Sequence, residues 1–309
     1  MLTQWELSDS PPNGDNLQNS TVLHSTPSNS GSFDWTLIKR SAVINESAQR
    51  GRSPAPKASP KSRNSPAPPG RKRHSSPKMH LPAPAPTKEY LEQAAKAPER
   101  LDRPQRPLLV LDLNGTLVYR PGRSTTEAIP RPFLQPFLKY IFENFSVMVW
   151  SSAKPHNVKR MVQSVLTPKR LSLLIAEWGR DRFGLTEEQY TQNVQVYKEL
   201  SRIWKDAAIT NLHPEQERGR GWGQHNTILL DDSELKASSE PFNLVQIPEF
   251  IASEKQMRGD VLREVAGYLD EVRMQKDVSA FIKRTPFEAD GRWNIEWPDE
   301  VSEGVAITI

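Results

Sequence analysis

The chain has no cysteine among its 309 residues. Disulfides, thiolate nucleophiles and thiolate zinc sites are therefore excluded at once. No 18 apolar residues run together, so no membrane span is expected. Acidic residues are missing from Arg50 to Lys88, where ten lysines and arginines lie among Pro, Ser and Ala. Such a composition buries too little apolar surface to offset its ordering entropy and predicts disorder. The amino terminus, MLTQWELSDSPPNGD, is acidic and lacks an apolar core of the kind a secretory signal needs. It is also a poor match to a transit peptide, so a nuclear or cytoplasmic location is expected, with the mitochondrion as the alternative.

What is present is unevenly spread. Fourteen basic against eight acidic residues give residues 1–100 a charge of +6, whereas 27 against 29 give the remainder −2. The high pI of about 9.2 thus belongs to the first third of the chain. Residues 1–104 read as a basic Pro/Ser-rich disordered arm, 105–283 as a folded domain and 284–309 as a tail. Thr26, Ser53, Ser59, Ser65 and Ser76 each precede proline, and phosphate added there would offset the local positive charge. The run GRKRHSSPK is a candidate nuclear import signal or nucleic-acid patch, and the basic arm as a whole a candidate contact for protein partners. The arm lacks interleaved aromatics on which bases would stack, so nucleic acid is not expected as a partner.

From Pro107 the pattern changes. LLVLD (108–112), SVMVWSS (146–152), TILLDD (227–232) and NLVQI (243–247) are short apolar runs of the kind that strands buried on both faces require. Between them, Phe133, Phe137, Leu138, Ile141 and Phe142 recur at helical spacing. Pro155 followed by Val158, Met161, Val162 and Val165 does the same, with proline at a helix start. NVQVYKELSRIW is read as a further helix with Val196, Leu200, Ile203 and Trp204 as its stripe, and QMRGDVLREVAGYLDEVRMQ as a last one. Alternation of strands and helices predicts a three-layered α/β architecture, a Rossmann-like and mostly parallel sheet with helices on both faces. Trp150 and Trp204 are expected in the core, while Trp178 and Trp222 sit in polar surroundings as candidate exposed anchors.

The segment RPLLVLDLNGTLVYR allows two readings. Asn114-Gly115 between apolar runs is a strong signal for a type I′ hairpin, since both residues tolerate positive φ. The alternative is a single buried strand that delivers Asp112 to a site. The ends of the other strands favour the second reading. Asp112 closes one strand, Ser151 and Ser152 another, and Asp231 with Asp232 a third. Parallel strands bring all of them to one edge, where such sheets bind ligands. A carboxylate there can attack a phosphoryl group while further carboxylates hold Mg²⁺, with Ser151 and an ammonium such as Lys198 completing a phosphate cradle. Each residue also has an ordinary alternative. The serines can cap the following helix, Lys198 can lie on a solvated helix face, Asp231-Asp232 can open a loop, and Thr116 can be a plain β-branched strand residue.

DLNGTLV, WSSA, the lysine of YKELSRIW and ILLDDSELKASSEPFNLVQIPEF resemble, in order, the four motifs of the haloacid dehalogenase superfamily. More closely they are similar to its NLI-interacting-factor branch, the FCP1 homology domains that include phosphatases of the RNA polymerase II C-terminal domain (CTD). The resemblance spans roughly residues 105–275. It implies a Mg²⁺-dependent phosphatase acting on a phosphorylated substrate, with protein as the expected class. Asp112 would be the nucleophile, Thr116 a support for its loop, Ser151 a phosphate-oxygen donor beside Ser152, and Lys198 a charge stabiliser. Asp112, the backbone carbonyl of Asn114, Asp231 and Asp232 would hold the metal.

Asn114 departs from that pattern. Active members of the branch carry there a second aspartate that protonates the leaving alkoxide and then activates water. A carboxamide has no proton to exchange near neutral pH, so turnover is expected to be slow or selective. Only about a dozen residues, Val118 to Pro130, follow the first motif, where CTD phosphatases have a larger β-insertion. Asp232 replaces a common asparagine, and the Gly-rich stretch 213–226 is a candidate lid or partner surface. Three functions are compatible with these residues. They are a phosphatase working through a phospho-aspartate, a binding module that keeps the fold as an import-translocase receptor of the same branch does, and a scaffold in which the basic arm supplies the function.

Overall fold

The computed structural model describes residues 79–122 and 128–297. The arm's Ser-Pro and Thr-Pro sites and its basic cluster lie outside those residues, as does its expected disorder up to residue 78, whereas residues 79–104 are ordered. Five parallel strands form the central sheet in the order β5-β4-β1-β6-β7. They are β1 (Leu108–Leu111), β4 (Ser146–Trp150), β5 (Glu177–Trp178), β6 (Thr227–Asp231) and β7 (Leu244–Gln246). β2 (Val118–Tyr119) and β3 (Ile129–Pro130) form a separate antiparallel pair. The chain leaves central β1 for β4 on one side and later returns to β6 on the other, so the crevice at the carboxyl end of β1 is a topological switch point.

β1 is apolar throughout because both faces are covered. Leu109 and Leu111 point into one cluster, packed by α2 (Leu134–Asn144), α3 (Pro155–Val165), α5 (Val261–Val272) and α6 (Val278–Arg284). Leu108 and Val110 point into the other, with Met148, Trp150, Leu229, Val196, Leu200 and Ile203. Each fully buried Leu, Ile or Phe contributes about 1.5–3 kcal/mol, so this double cover anchors the strand that carries Asp112. Helices do cover both faces, but unequally. The second face is clad in loops and short helices such as α4 (Ser201–Lys205).

The hairpin alternative is excluded by the turn itself, and other expectations need correction. The Asn114-Gly115 turn is not a hairpin. Gly115 has φ +89°, but Asn114 is not among the described residues with positive φ, so a type I′ turn cannot form. The turn instead folds on Leu113, whose carbonyl accepts the N–H groups of Thr116, Leu117 and Val118. β2 then pairs with β3 rather than with β1. Gly115 is needed for a second reason: a Cβ there would meet Asp232 Oδ2 at 3.0 Å.

One correction is that NVQVYKELSRIW is helical only from Ser201. Upstream, backbone donors are committed to tertiary partners: Gln195 N–H to Met79 O, Lys198 N–H to Lys236 O and Leu200 N–H to Glu240 Oε2. Lys198 therefore lies on an extended loop. Another concerns boundaries. Residues 79–104 include α1 (Lys88–Ala94), whose Tyr90 is buried and bonded to Asn243, and the Tyr197 hydroxyl donates to Leu81 O. Trp293 stacks edge-on against Tyr268, and the Trp297 indole N–H donates to Asp260. The packed part thus extends beyond 105–283 at both ends, because sparse aromatics in polar stretches anchor them. Trp178 and Trp222 are likewise buried rather than exposed.

Candidate active site

Asp112 follows β1 immediately, and its backbone N–H continues the ladder to Leu230 O. Leu111 pairs with Val149 and with Leu230, so Asp112 and Asp231 come level at the sheet's carboxyl edge. Both are buried, at 2% and 0% exposure. The Lys198 ammonium, itself fully buried, donates to Asp112 Oδ1 at 3.0 Å and to Asp231 Oδ2 at 2.6 Å. The solvated-face alternative for Lys198 is excluded by that burial. Asp112, Asp231 and Asp232 each present an oxygen within 4.8 Å of the others. An all-oxygen carboxylate set of this kind suits Mg²⁺.

Thr116 is wholly buried in the turn, not in a strand. Its hydroxyl lies 3.4 Å from Asp112 Oδ2 and 3.3 Å from Asp232 Oδ1. Asn114 is exposed, and its side-chain oxygen accepts the N–H of Arg120 at 3.0 Å. Ser151 is buried just past β4 on the same edge, and Ser152 is half-buried. Neither caps α3, whose N-cap residue, Lys154, makes no side-chain cap bond. Ser151 Oγ instead accepts the Ala153 N–H at 3.4 Å within its own loop.

Lys236 and Arg131 were not singled out from the sequence. Lys236 Nζ donates to Asp112 Oδ2 at 3.1 Å, Asp231 Oδ1 at 2.8 Å and Asp232 Oδ1 at 3.0 Å. Burial alone would lower its pKa, but the three carboxylates together hold it well above the ordinary lysine range. The i,i+4 spacing of Asp232 and Lys236 is the one sequence signal for this contact. Arg131 donates through Nε to Thr116 O at 2.6 Å and through Nη2 to Pro248 O at 2.7 Å, with its guanidinium 4.8 Å over the Phe250 ring. Burial pulls its pKa down to about 10, against the charge of Asp232, so it stays cationic at neutral pH. Arg131 ties the Asp112 turn to the segment after β7. Arg131→Met leaves those carbonyls without a donor and should lower stability by about 1–3 kcal/mol, read by urea denaturation.

Behind Lys198, the Glu240 carboxylate accepts the Leu200 N–H and is bonded by the Ser239 hydroxyl. Burial raises its pKa, and those two bonds oppose the rise. This buried acceptor fixes the loop on which Lys198 rides.

Residues 107–279 match the profile of the NLI interacting factor-like phosphatases. The chain belongs to that family. An uncharacterized FCP1 homology domain-containing protein of Schizosaccharomyces pombe is 39% identical over 236 residues, covering 72% of this chain and 94% of that protein. A ubiquitin-like domain-containing CTD phosphatase 1 of Xenopus laevis is 23% identical over 194 residues, covering 62% of this chain and 56% of its own length. Among solved structures, the fission yeast RNA polymerase II CTD phosphatase Fcp1 superposes with a TM-score of 0.32 at 15% identity, covering 60% of this chain and 51% of that one. The buried Asp112, Lys198 and Asp231, joined through the Lys198 ammonium, all lie within the residues that the family profile matches. No helix among the described residues is long and apolar enough to cross a membrane.

Proposed function

We propose that the chain is a phosphatase that works through a phospho-aspartate on Asp112 and is slow or selective because Asn114 stands where an acid/base carboxylate is needed. The observation that carries this reading is the convergence of Asp112, Lys198 and Asp231 at the ends of adjacent strands and the loop beside them. The Asp112 carboxylate attacks phosphorus, the bond to the leaving oxygen breaks, and water later releases phosphate from the carboxylate. Lys198 holds Asp112 in place and offsets charge as the phosphoryl group approaches. Thr116 supports the loop, while Ser151, with Ser152 beside it, donates to phosphate oxygens. Asp112, Asp231, Asp232 and the Asn114 backbone carbonyl would hold Mg²⁺, which supplies neutralisation of the repulsion between nucleophile and phosphate. The substrate class proposed is a phosphorylated protein. The site itself lies within about residues 105–283, with the packed segments 79–104 and 284–297 on either side of it in the chain.

Asp112→Asn tests the reading. With an aryl phosphate and Mg²⁺, the native chain should turn over and the variant should lose activity by on the order of 10³-fold or more. Equal rates would end the proposal. A second reading, a binding module that keeps the fold without turnover, is favoured by one observation: the exposed Asn114 side chain is bonded to the backbone N–H of Arg120. Absence of activity in both the native chain and an Asn114→Asp variant would select it.

A further inference from the structure

Four carboxylate oxygens belong to the two buried aspartates, and every one accepts from an ammonium. Lys198 takes Asp112 Oδ1 and Asp231 Oδ2, and Lys236 takes Asp112 Oδ2 and Asp231 Oδ1. Asp231 Oδ1 also accepts the Ser233 N–H. Lys236 then reaches Asp232 Oδ1 as well, so its Nζ lies within 3.1 Å of one oxygen from each of the three carboxylates. That point, 2.8–3.1 Å from each member of a hard-oxygen triad, is where a divalent ion would bind. A Mg²⁺ ion sits about 2.0–2.1 Å from its oxygens, so a dication and an ammonium cannot share the focus of three oxygens packed this closely.

We propose that Lys236 is a tethered cation occupying the Asp112–Asp231–Asp232 site, and that a divalent ion enters only by displacing it. The idea rests on the reading of these aspartates as the metal ligands and adds what sets their affinity. Three carboxylates against two ammonium groups leave a net charge of −1. With Lys236 swung out, the charge offered to a dication becomes −2. Lys198 cannot make the same exchange. It is fully buried, whereas the Lys236 side chain retains 13% exposure at the rim beside Asp232. Lys236 stands in a short 3₁₀ turn, Glu234–Ala237, directly after β6, so its stem can pivot outward without unfolding the strand. Its carbonyl accepts the Lys198 N–H, which keeps the backbone in place while the side chain moves.

The full-length chain and its K236M and K236Q variants should be titrated with Mn²⁺ alone, by calorimetry and by the electron-spin signal of the free ion. Removal of the competing charge-assisted bonds should tighten Mn²⁺ binding roughly tenfold or more. In the native chain, Mg²⁺ should increase acetylation of Lys236 by acetic anhydride, read by peptide mass spectrometry, while buried Lys198 stays unmodified. This second measurement decides the matter if the variants do not fold. Equal or weaker Mn²⁺ binding in folded variants, or labelling of Lys236 that ignores Mg²⁺, overturns the proposal and leaves the metal site intact. No binding to native chain or variants removes the metal site itself along with the inference.

Discussion

Asn114→Asp should raise Mg²⁺-dependent phosphate-ester hydrolysis by about 10²–10⁴-fold, the usual worth of a placed general acid–base. The substitution is nearly isosteric. Asn114 is exposed, and an aspartate oxygen can accept the same Arg120 N–H that the carboxamide accepts now. What changes is the availability of a proton. An alkyl phosphate should gain more than an aryl phosphate, because an alkoxide leaving group depends on protonation and a phenolate much less so. The same carboxylate would then activate water against phospho-Asp112. Intact-mass measurement of the native chain with an aryl phosphate is therefore expected to show a persistent phosphoryl adduct, which Asn114→Asp should abolish. An unchanged rate in a folded Asn114→Asp variant would show that position 114 does not govern turnover.

Lys198→Met is expected to have the largest effect on stability. It leaves Asp112 and Asp231, both buried, without their fully buried partner. Breaking a buried ion pair from one side typically costs about 3–5 kcal/mol. Lys236 continues to reach both aspartates, which should keep the loss near the low end of that range. Phosphatase activity should fall with it, since the attacking carboxylate loses the group that orients it. Denaturant unfolding of Lys198→Met, Asp112→Asn and the double variant provides the check. The two sites touch, so the double variant should lose less than the sum of the single losses. Strict additivity would mean that the ammonium–carboxylate contact contributes nothing to the fold. Lys198→Arg should not restore the native state, because a rigid guanidinium fork needs more room than a fully buried ammonium leaves.

The places where local pattern and three-dimensional structure part are informative. β1, β4 and β6 are legible because strands buried on both faces show apolar runs, β7 because Leu244 and Val245 open a short apolar stretch, and α2, α3 and α5 because one face of each repeats at 3.6 residues. The edge strand Glu177–Trp178 has only two residues and offers no pattern to read. NVQVYKELSRIW misleads because its apolar spacing fits a helix over the whole stretch. Yet from Val196 onward, Val196, Lys198 and Leu200 are buried while Tyr197 and Glu199 are less so, the alternation of extended chain. Lysine in that alternation hid it, since a buried lysine becomes intelligible only beside its two aspartates.

The order of motifs, the missing thiols and the asparagine at 114 stand in the sequence itself, for each is a matter of residue type or of spacing along one segment. Family and strand core follow from them. Which cation holds the three carboxylates together does not, because Lys236 reads as an ordinary turn lysine until β1 and β6 lie side by side and bring Asp112 within hydrogen-bonding distance of a residue 124 positions away. Likewise Arg131 becomes a clamp only when the turn after β1 meets the segment after β7. Contacts of this kind are made by pairing distant strands in one register, and no local pattern encodes them.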